Sequence, residues 1–344
     1  MSAPEALTSP SKGRSKRRVR AVAIVMMTVV VILVLVGSLA FYYSCLYRTK
    51  LAFSREPAFV PILGHTEPEV IKVGTAYYLY YRTDHSIAVA VSSDGLIWSD
   101  NDPVVRASAS EWDSNETIAP SVLLDNGTYY MYYEAMDSAT GHRAIGLATS
   151  RSPTGPFLKY GGNPVLTASE PWEDNVVGTP VVTKIGTTFY LFYHGFSDGS
   201  DRIGVAYSQS LPGPWTKEPA NPILDVGMPG AWDDKKVAPS SVIVSGCRVW
   251  VFYEGFDGTN PETLTSWRIG VATATLDPEG KITGLSRDKD PVLDLGQDWD
   301  NNTVQLPSVI VEGKELWMYY SGHDGSAFRL GRAVAPVPWF TWPW

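Results

Sequence analysis

Tyr77-Tyr78-Leu79-Tyr80-Tyr81 is the run that decides the fold, because the chain states it in five versions. The others are Tyr129-Tyr130-Met131-Tyr132-Tyr133, Phe189-Tyr190-Leu191-Phe192-Tyr193, Val249-Trp250-Val251-Phe252-Tyr253 and Leu316-Trp317-Met318-Tyr319-Tyr320. Short apolar and aromatic runs with Gly upstream read as strands buried on both faces. Short strands recurring at this period are the sequence signature of a propeller. The predicted class is all-β: a five-bladed β-propeller of four-stranded antiparallel blades.

Each repeat opens with a proline ahead of the aromatic run: Pro68, Pro120, Pro180, Pro239 and Pro307. These mark the innermost strands. After the aromatic strand and an Asp/Gly-rich loop comes a third strand alternating large with small, as in Ile145-Gly146-Leu147-Ala148 and Ile203-Gly204-Val205-Ala206. Repeats end in Asp102-Pro103-Val104-Val105, Asn163-Pro164-Val165-Leu166, Asn221-Pro222-Ile223-Leu224 or Asp290-Pro291-Val292-Leu293, as an outer edge that tolerates proline would. The fifth repeat lacks that ending. Val60-Pro61-Ile62-Leu63 stands before the first instead, so residues 59–63 are predicted to close the ring. The expected blades are 64–105, 106–166, 167–224, 225–293 and 294–335, within a propeller of 59–344.

Residues 1–20 are polar and basic and read as disordered, and 48–58 as a linker. Residues 21–47 carry no charge and read as a transmembrane signal-anchor helix. Basic residues crowd its upstream side, so the N-terminus is expected in the cytosol and the propeller outside, at a cell surface or in a periplasm. The lipid bilayer then becomes a partner, with Phe41, Tyr42, Tyr43 and Tyr47 at the interface. The run is long for a cleaved signal peptide, whose small-x-small site would be Ser38-Leu39-Ala40. Two cysteines, Cys45 and Cys247, imply no disulfide framework. Of 28 Lys/Arg and 36 acids, eight and one lie in residues 1–50, leaving 20 against 35 and a net of −15 beyond. Nucleic acid is a poor partner for such a domain. A monomer that binds carbohydrate is expected.

The start of each inner strand and the end of each aromatic strand converge on the ring axis. Candidates there are His65, Glu67, Thr179 and Gln305 from the first set, and Arg82, Glu134, His194 and Glu254 from the second, with Asp84 in the loop that follows. Glu67 is the only carboxylate directly before a blade-opening proline. Its connection is also the shortest: Pro61 to Pro68 is 7 positions, against 16 or 17 in the other repeats. The funnel should be most open beside it. The longer connections carry Trp112-Asp113, Trp172-Glu173, Trp232-Asp233 and Trp299-Asp300, whose fourfold recurrence points to structure rather than chemistry. Cross-strand ion pairs Glu134–Arg143 and Glu254–Arg268 are the bland alternative for those two acids. No zinc spacing, Gly-rich phosphate loop or basic cluster for phosphate stands out.

The run Gly146 to Phe157, and Ser92-Ser93-Asp94-Gly95 with Trp98, resemble the five-bladed propeller glycosidases of families 43, 62, 32 and 68 and the related family 130. The resemblance covers about residues 57–335. It implies a glycoside hydrolase acting by carboxylate acid/base chemistry, with Glu67 at the position of the general base. Thr179 and Val237 stand where the family 43 pattern has two further carboxylates. The acid is then sought in Glu254 or Glu134, with His65, Arg82, Asp84, Thr179, His194 and Gln305 as substrate contacts. No cofactor is required; the resemblance allows an axial calcium, for which Gln305 offers no clear ligand. A non-catalytic carbohydrate-binding propeller and a glycoside phosphorylase are the alternatives.

Overall fold

The computed structural model describes residues 22–37, 50–109, 111–258, 267–277 and 279–338. It divides into two units, residues 1–47 and 48–344. In the first, the described helix runs over residues 22–37. Among the described residues no helix is long and apolar enough to cross a membrane. The expected transmembrane anchor, its bilayer partner and the localisation built on them are therefore not upheld: the charge-free run does not yield a described helix that meets both requirements. The basic tail, the aromatic group at 41–47, Cys45 and the last six residues lie outside the described residues.

The five aromatic runs are strands, Ala76–Arg82, Thr128–Met136, Thr188–Ser197, Arg248–Phe256 and Glu315–His323. Each pairs antiparallel on one side with an inner strand (Thr66–Val73, Glu116–Asp125, Val177–Ile185, Lys236–Ser245, Thr303–Glu312). On the other side lies a third strand (Ser86–Ser92, Arg143–Ser150, Ser200–Ser208, Arg268–Leu276, Phe328–Pro336). Leu79, Tyr80, Met131, Tyr132, Leu191, Phe192, Val251, Phe252, Met318 and Tyr319 are all fully buried, because neighbouring blades cover both faces.

The outer edge is made in two pieces. In blade 2, Leu158–Lys159 pairs with the end of the third strand, and Leu166 bridges to Ile145 at its start. The ring closes the same way. Ile62 pairs with Leu330, as the sequence predicts. Ser54–Arg55, read from sequence as linker, supplies the other piece by pairing with Val334 and Ala333.

Four blades share one lock beneath the outer edge. A loop Trp stacks on the last Tyr of the aromatic strand, with ring centroids 6.1, 5.7, 5.5 and 5.7 Å apart for Trp112–Tyr133, Trp172–Tyr193, Trp232–Tyr253 and Trp299–Tyr320. That Tyr hydroxyl donates to the acid after the Trp: Asp113, Glu173, Asp233 or Asp300. A cation from the outer edge, Lys159, Lys217, Arg287 or Arg55, completes it. The Trp rings lie over Gly146, Gly204, Gly270 and Gly331, where an added Cβ would collide with both Trp and Tyr. The sequence reading of the Trp-acid pairs as structural matches this arrangement.

Blade 1 has no such Trp, and Ala88 stands at the glycine position. There His65 stacks on Tyr81 at 4.0 Å, while Asp100 takes the cation's place and accepts from His65 Nε2 at 2.7 Å and Tyr81 Oη at 3.2 Å. His65 is thus engaged in blade 1's version of the lock.

A second set of contacts lines the axial shaft. Val122, Val182, Val309 and Val70 each donate a backbone N–H to a side chain of the preceding blade in the ring: Glu69 Oε1, Ser121 Oγ, Ser241 Oγ and Ser308 Oγ. Glu69 stands where the others have Ser and also accepts from Ser308 Oγ at 3.0 Å. Burial pushes its carboxyl up to about 7, against the opposing effect of these hydrogen bonds. The fold therefore favours the neutral acid. Its contribution is present below the unfolded value of 4.5 and is lost as the pH rises towards 7. The loss amounts to about 3 kcal/mol. In Glu69→Gln, the stability difference between pH 5 and pH 8, read from urea midpoints, should shrink by about that amount. An undiminished difference would clear Glu69 of the effect.

Candidate active site

Every inner strand breaks register at its proline. The bulges fall between Thr66 and Glu69, Ile118 and Ser121, Gly178 and Val181, Pro239 and Ser241, and Gln305 and Ser308. In four blades the residue before proline takes a left-handed backbone: Glu67 at φ 54°, Ala119 at 48°, Thr179 at 41° and Leu306 at 51°. Such conformations are costly for non-glycine residues and persist only where the surroundings impose them. Here each strained N–H is held by an acceptor at the mouth. Glu67 N donates to Ser321 Oγ at 2.9 Å, and Ala119 N to Glu67 Oε2 at 2.8 Å. Thr179 N donates to Glu134 Oε2 at 2.8 Å, and Leu306 N to Glu254 Oε2 at 3.1 Å. The three candidate acids are aimed at the axis because they satisfy this backbone.

Blade 4 departs from the pattern. Ala238 pairs with Glu254 and Pro239 with Tyr253, so Pro239 itself occupies the level of Glu67, with Ser240 in the bulge. The blade-4 proline sits one position early. Val237 pairs with Gly255 and is fully buried, away from the mouth.

Two cavities meet at Glu67. The axial one, about 360 Å³, is lined by Glu67, Glu134, Thr179, His194 and Glu254 among the predicted residues. Ile118, Ala119, Val176, Phe196 and Leu306 provide its apolar wall, and Arg143, Asp201 and Lys236 its remaining charges. The other, about 610 Å³, is lined by Gly64, Thr66, Glu67, Arg82, Thr83, Asp84, Gln305 and Phe328. It opens between blades 5 and 1, where the short connection predicts the widest gap. Of the predicted residues only His65 lines neither.

The acids differ in surroundings. Glu254 is buried, its one hydrogen bond among the described residues is from Leu306 N, and no cation pairs with it. Burial pushes it up to about 8, with Glu67, Asp201 and Glu134 adding repulsion. The alternative Glu254–Arg268 pair is not what forms: Arg268 binds Asp257 and Asp294. Glu134 does pair with Arg143. Burial alone would raise it, but Arg143, His194 and the Thr179 N–H together hold it below the usual carboxylate range. Gly178 makes this approach possible, since a Cβ there would strike Glu134 and His194. Thr179 Oγ1 lies 2.8 Å from His194 Nδ1. Glu67 is raised by burial, opposed by Arg82 Nη1 at 2.8 Å and by Ala119 N.

One residue escaped the sequence reading. Glu116, the first residue of its inner strand, is buried between two guanidiniums, with Arg82 Nη2 at 2.9 Å and Arg143 Nη2 at 2.8 Å. The sequence reading also found no basic cluster, yet the axial cavity gathers Arg143, His194 and Lys236, and Lys236 faces Asp201 at 3.2 Å. They are far apart in sequence, so only the ring closure assembles them. Among the described residues no group of three or more His, Cys, Asp or Glu is arranged to hold a metal ion.

The fold is that of the five-bladed β-propeller glycosidases, and the first blades resemble glycosyl hydrolases family 43. The model for "Glycosyl hydrolases family 43" matches residues 60–175, the first two blades and the entry to the third. An extracellular endo-α-(1→5)-L-arabinanase of Thermotoga petrophila is 32% identical over 145 residues, 36% of this chain and 29% of its own length. The match thus spans under a third of that relative. A 1,2-β-oligomannan phosphorylase of a Thermoanaerobacter species is 24% identical over 246 residues, 69% of this chain and 75% of its own. A thermostable family-43 glycoside hydrolase superposes with a TM-score of 0.64 at 22% identity, covering 81% of this chain and 91% of that one, a likeness of fold.

Proposed function

We propose that the chain cleaves glycosidic bonds in a glycan or oligosaccharide, with Glu254 as proton donor and Glu67 as the carboxylate that activates the attacking group. The observation that carries this is the contrast between two acids lining one cavity. Burial raises both carboxyls, but it pushes Glu254 up to about 8 with no cation to oppose it, whereas Arg82 and the Ala119 N–H oppose the rise at Glu67. Environments that separate two carboxyls in this way assign the acid and the base. Each Glu67 oxygen has one protein partner, which leaves lone pairs free for a water proton. The sugar being cleaved would occupy the axial cavity, with the remainder in the groove between blades 5 and 1. Arg82, Asp84 and Gln305 face the groove, and Thr179 and His194 the cavity, where they would hold sugar hydroxyls.

The test is turnover of a panel of aryl arabinosides, mannosides and oligosaccharides. Glu67→Gln should lose roughly 10²–10⁴-fold in kcat. Equal rates in variant and wild type would remove Glu67 from the chemistry, and glycan binding without any turnover would leave a binding propeller. Phosphorolysis is the second reading, favoured by the oligomannan phosphorylase relative and by Arg143, His194 and Lys236 in the cavity. It requires a rate that rises with inorganic phosphate and a sugar-1-phosphate product.

A further inference from the structure

The mouth contains a chain of five alternating charges, and its centre has no role in the reading above. Glu67 Oε1 takes Nη1 of Arg82, and Arg82 Nη2 takes Glu116 Oε2. Glu116 Oε1 takes Nη2 of Arg143, and Arg143 Nη1 takes Glu134 Oε1. A guanidinium opposite a lone carboxylate prefers a bidentate fork. Neither arginine has that arrangement here, because Glu116 occupies the second tine of both.

We propose that Glu116 is a positioning residue: by splitting both guanidinium forks it keeps Glu67 and Glu134 singly held, each with its other oxygen on a strained backbone N–H. The Glu67 oxygen that a bidentate Arg82 would claim is the one that now accepts from Ala119 N at 2.8 Å. The corresponding Glu134 oxygen accepts from Thr179 N at 2.8 Å. Released from Glu116, Arg82 rotates onto Glu67 and turns the carboxylate off the axis. The connection crosses blades, since Glu67 and Arg82 belong to blade 1 and Glu116, Glu134 and Arg143 to blade 2. Glu116 is buried, so its charge acts on both arginines with little screening by solvent. An amide at this position accepts from one guanidinium and turns its own donors on the other.

This inference rests on the hydrolase reading for its kinetic consequence but not for its structural one, and the experiment separates the two. In Glu116→Gln, the Glu67 carboxyl should titrate about one pH unit lower than in wild type, as expected when one acid gains a guanidinium's undivided charge. The measurement is a ¹³C carboxyl NMR titration of the folded chain, with Glu67 and Glu134 signals assigned by their loss in Glu67→Gln and Glu134→Gln. The acidic limb of kcat/KM should move down by the same amount while the basic limb, set by Glu254, stays. A scaffold residue without this role would lower activity at every pH and move neither limb nor signal. If Glu116→Gln does not fold, Glu116→Asp keeps the charge but is a methylene too short to span both guanidiniums, and the same titration applies. Glu67 and Glu134 signals unmoved in the folded variant overturn the proposal. A wild type without turnover on any glycan ends the hydrolase reading and leaves the titration to decide the role of Glu116.

Discussion

Glu254→Gln is expected to lower kcat by roughly 10²–10⁴-fold on glycosides with poor leaving groups, and far less on dinitrophenyl glycosides. The asymmetry follows from the role: an activated phenolate departs without a proton, whereas a sugar alcohol does not. The substitution is mild for the fold. Glu254 uses one oxygen to accept from Leu306 N, which the Gln carbonyl reproduces, and no cation is left unpaired. A second consequence concerns pH. Burial pushes Glu254 up to about 8, so activity in wild type should fall as pH rises through that value, and this basic limb should be missing from the residual activity of the variant. The same shift has a stability sign. A carboxyl raised from 4.5 to about 8 favours the fold only while protonated, so that contribution drains from wild type as the pH rises from 4.5 to about 8, and the variant should gain on wild type across that window and no further above it. A retained basic limb, or equal losses on both kinds of substrate, would take the proton donor's role from Glu254. Glu134 is a poor rival, because Arg143 and His194 keep it ionised.

Much of this was legible in the chain, and for identifiable reasons. The aromatic runs announce themselves because strands covered on both faces must be apolar at every position, a demand no loop makes. The mouth residues followed from hairpin geometry alone, since inner-strand starts lie beside aromatic-strand ends. The blade-4 offset was also present: proline precedes the last tyrosine of the aromatic run by 13 positions in Pro68–Tyr81, Pro120–Tyr133, Pro180–Tyr193 and Pro307–Tyr320, but by 14 in Pro239–Tyr253. Other features depend on distant partners. His65 reads as a free mouth residue until Asp100 and Tyr81 are seen to hold it. Glu116 carries no spacing signal, because its meaning lies in two arginines, one 34 residues upstream and the other 27 downstream. Residues 54–55 are too few to show a strand period, and only the unpaired edge of blade 5 explains them.

Arg55→Ala should destabilise the propeller by about 3–5 kcal/mol, more than removal of its partner Asp300. Arg55 Nε lies 2.6 Å from Asp300 Oδ2, and their side chains are 35% and 2% exposed. The two ends of the pair therefore respond differently. Without Arg55, the Asp300 carboxylate stays buried with Tyr320 Oη at 2.8 Å as its remaining side-chain donor. Without Asp300, the guanidinium can turn to water and keeps the Asp294 carbonyl at 2.6 Å. The double variant Arg55→Ala/Asp300→Ala should therefore be more stable than Arg55→Ala alone, a coupling that a double-mutant cycle reads directly. The position of the pair adds a second effect. Locks such as Lys159–Asp113 join residues of one blade, whereas Arg55–Asp300 joins segments 245 residues apart and holds the strand that closes the ring. Loss of Asp113 should leave unfolding a single transition at lower denaturant. Loss of Arg55 should also free the closing strand, so that blade 5 exchanges its amide hydrogens ahead of the other four. Uniform exchange across all five blades in Arg55→Ala would show that closure does not depend on this pair.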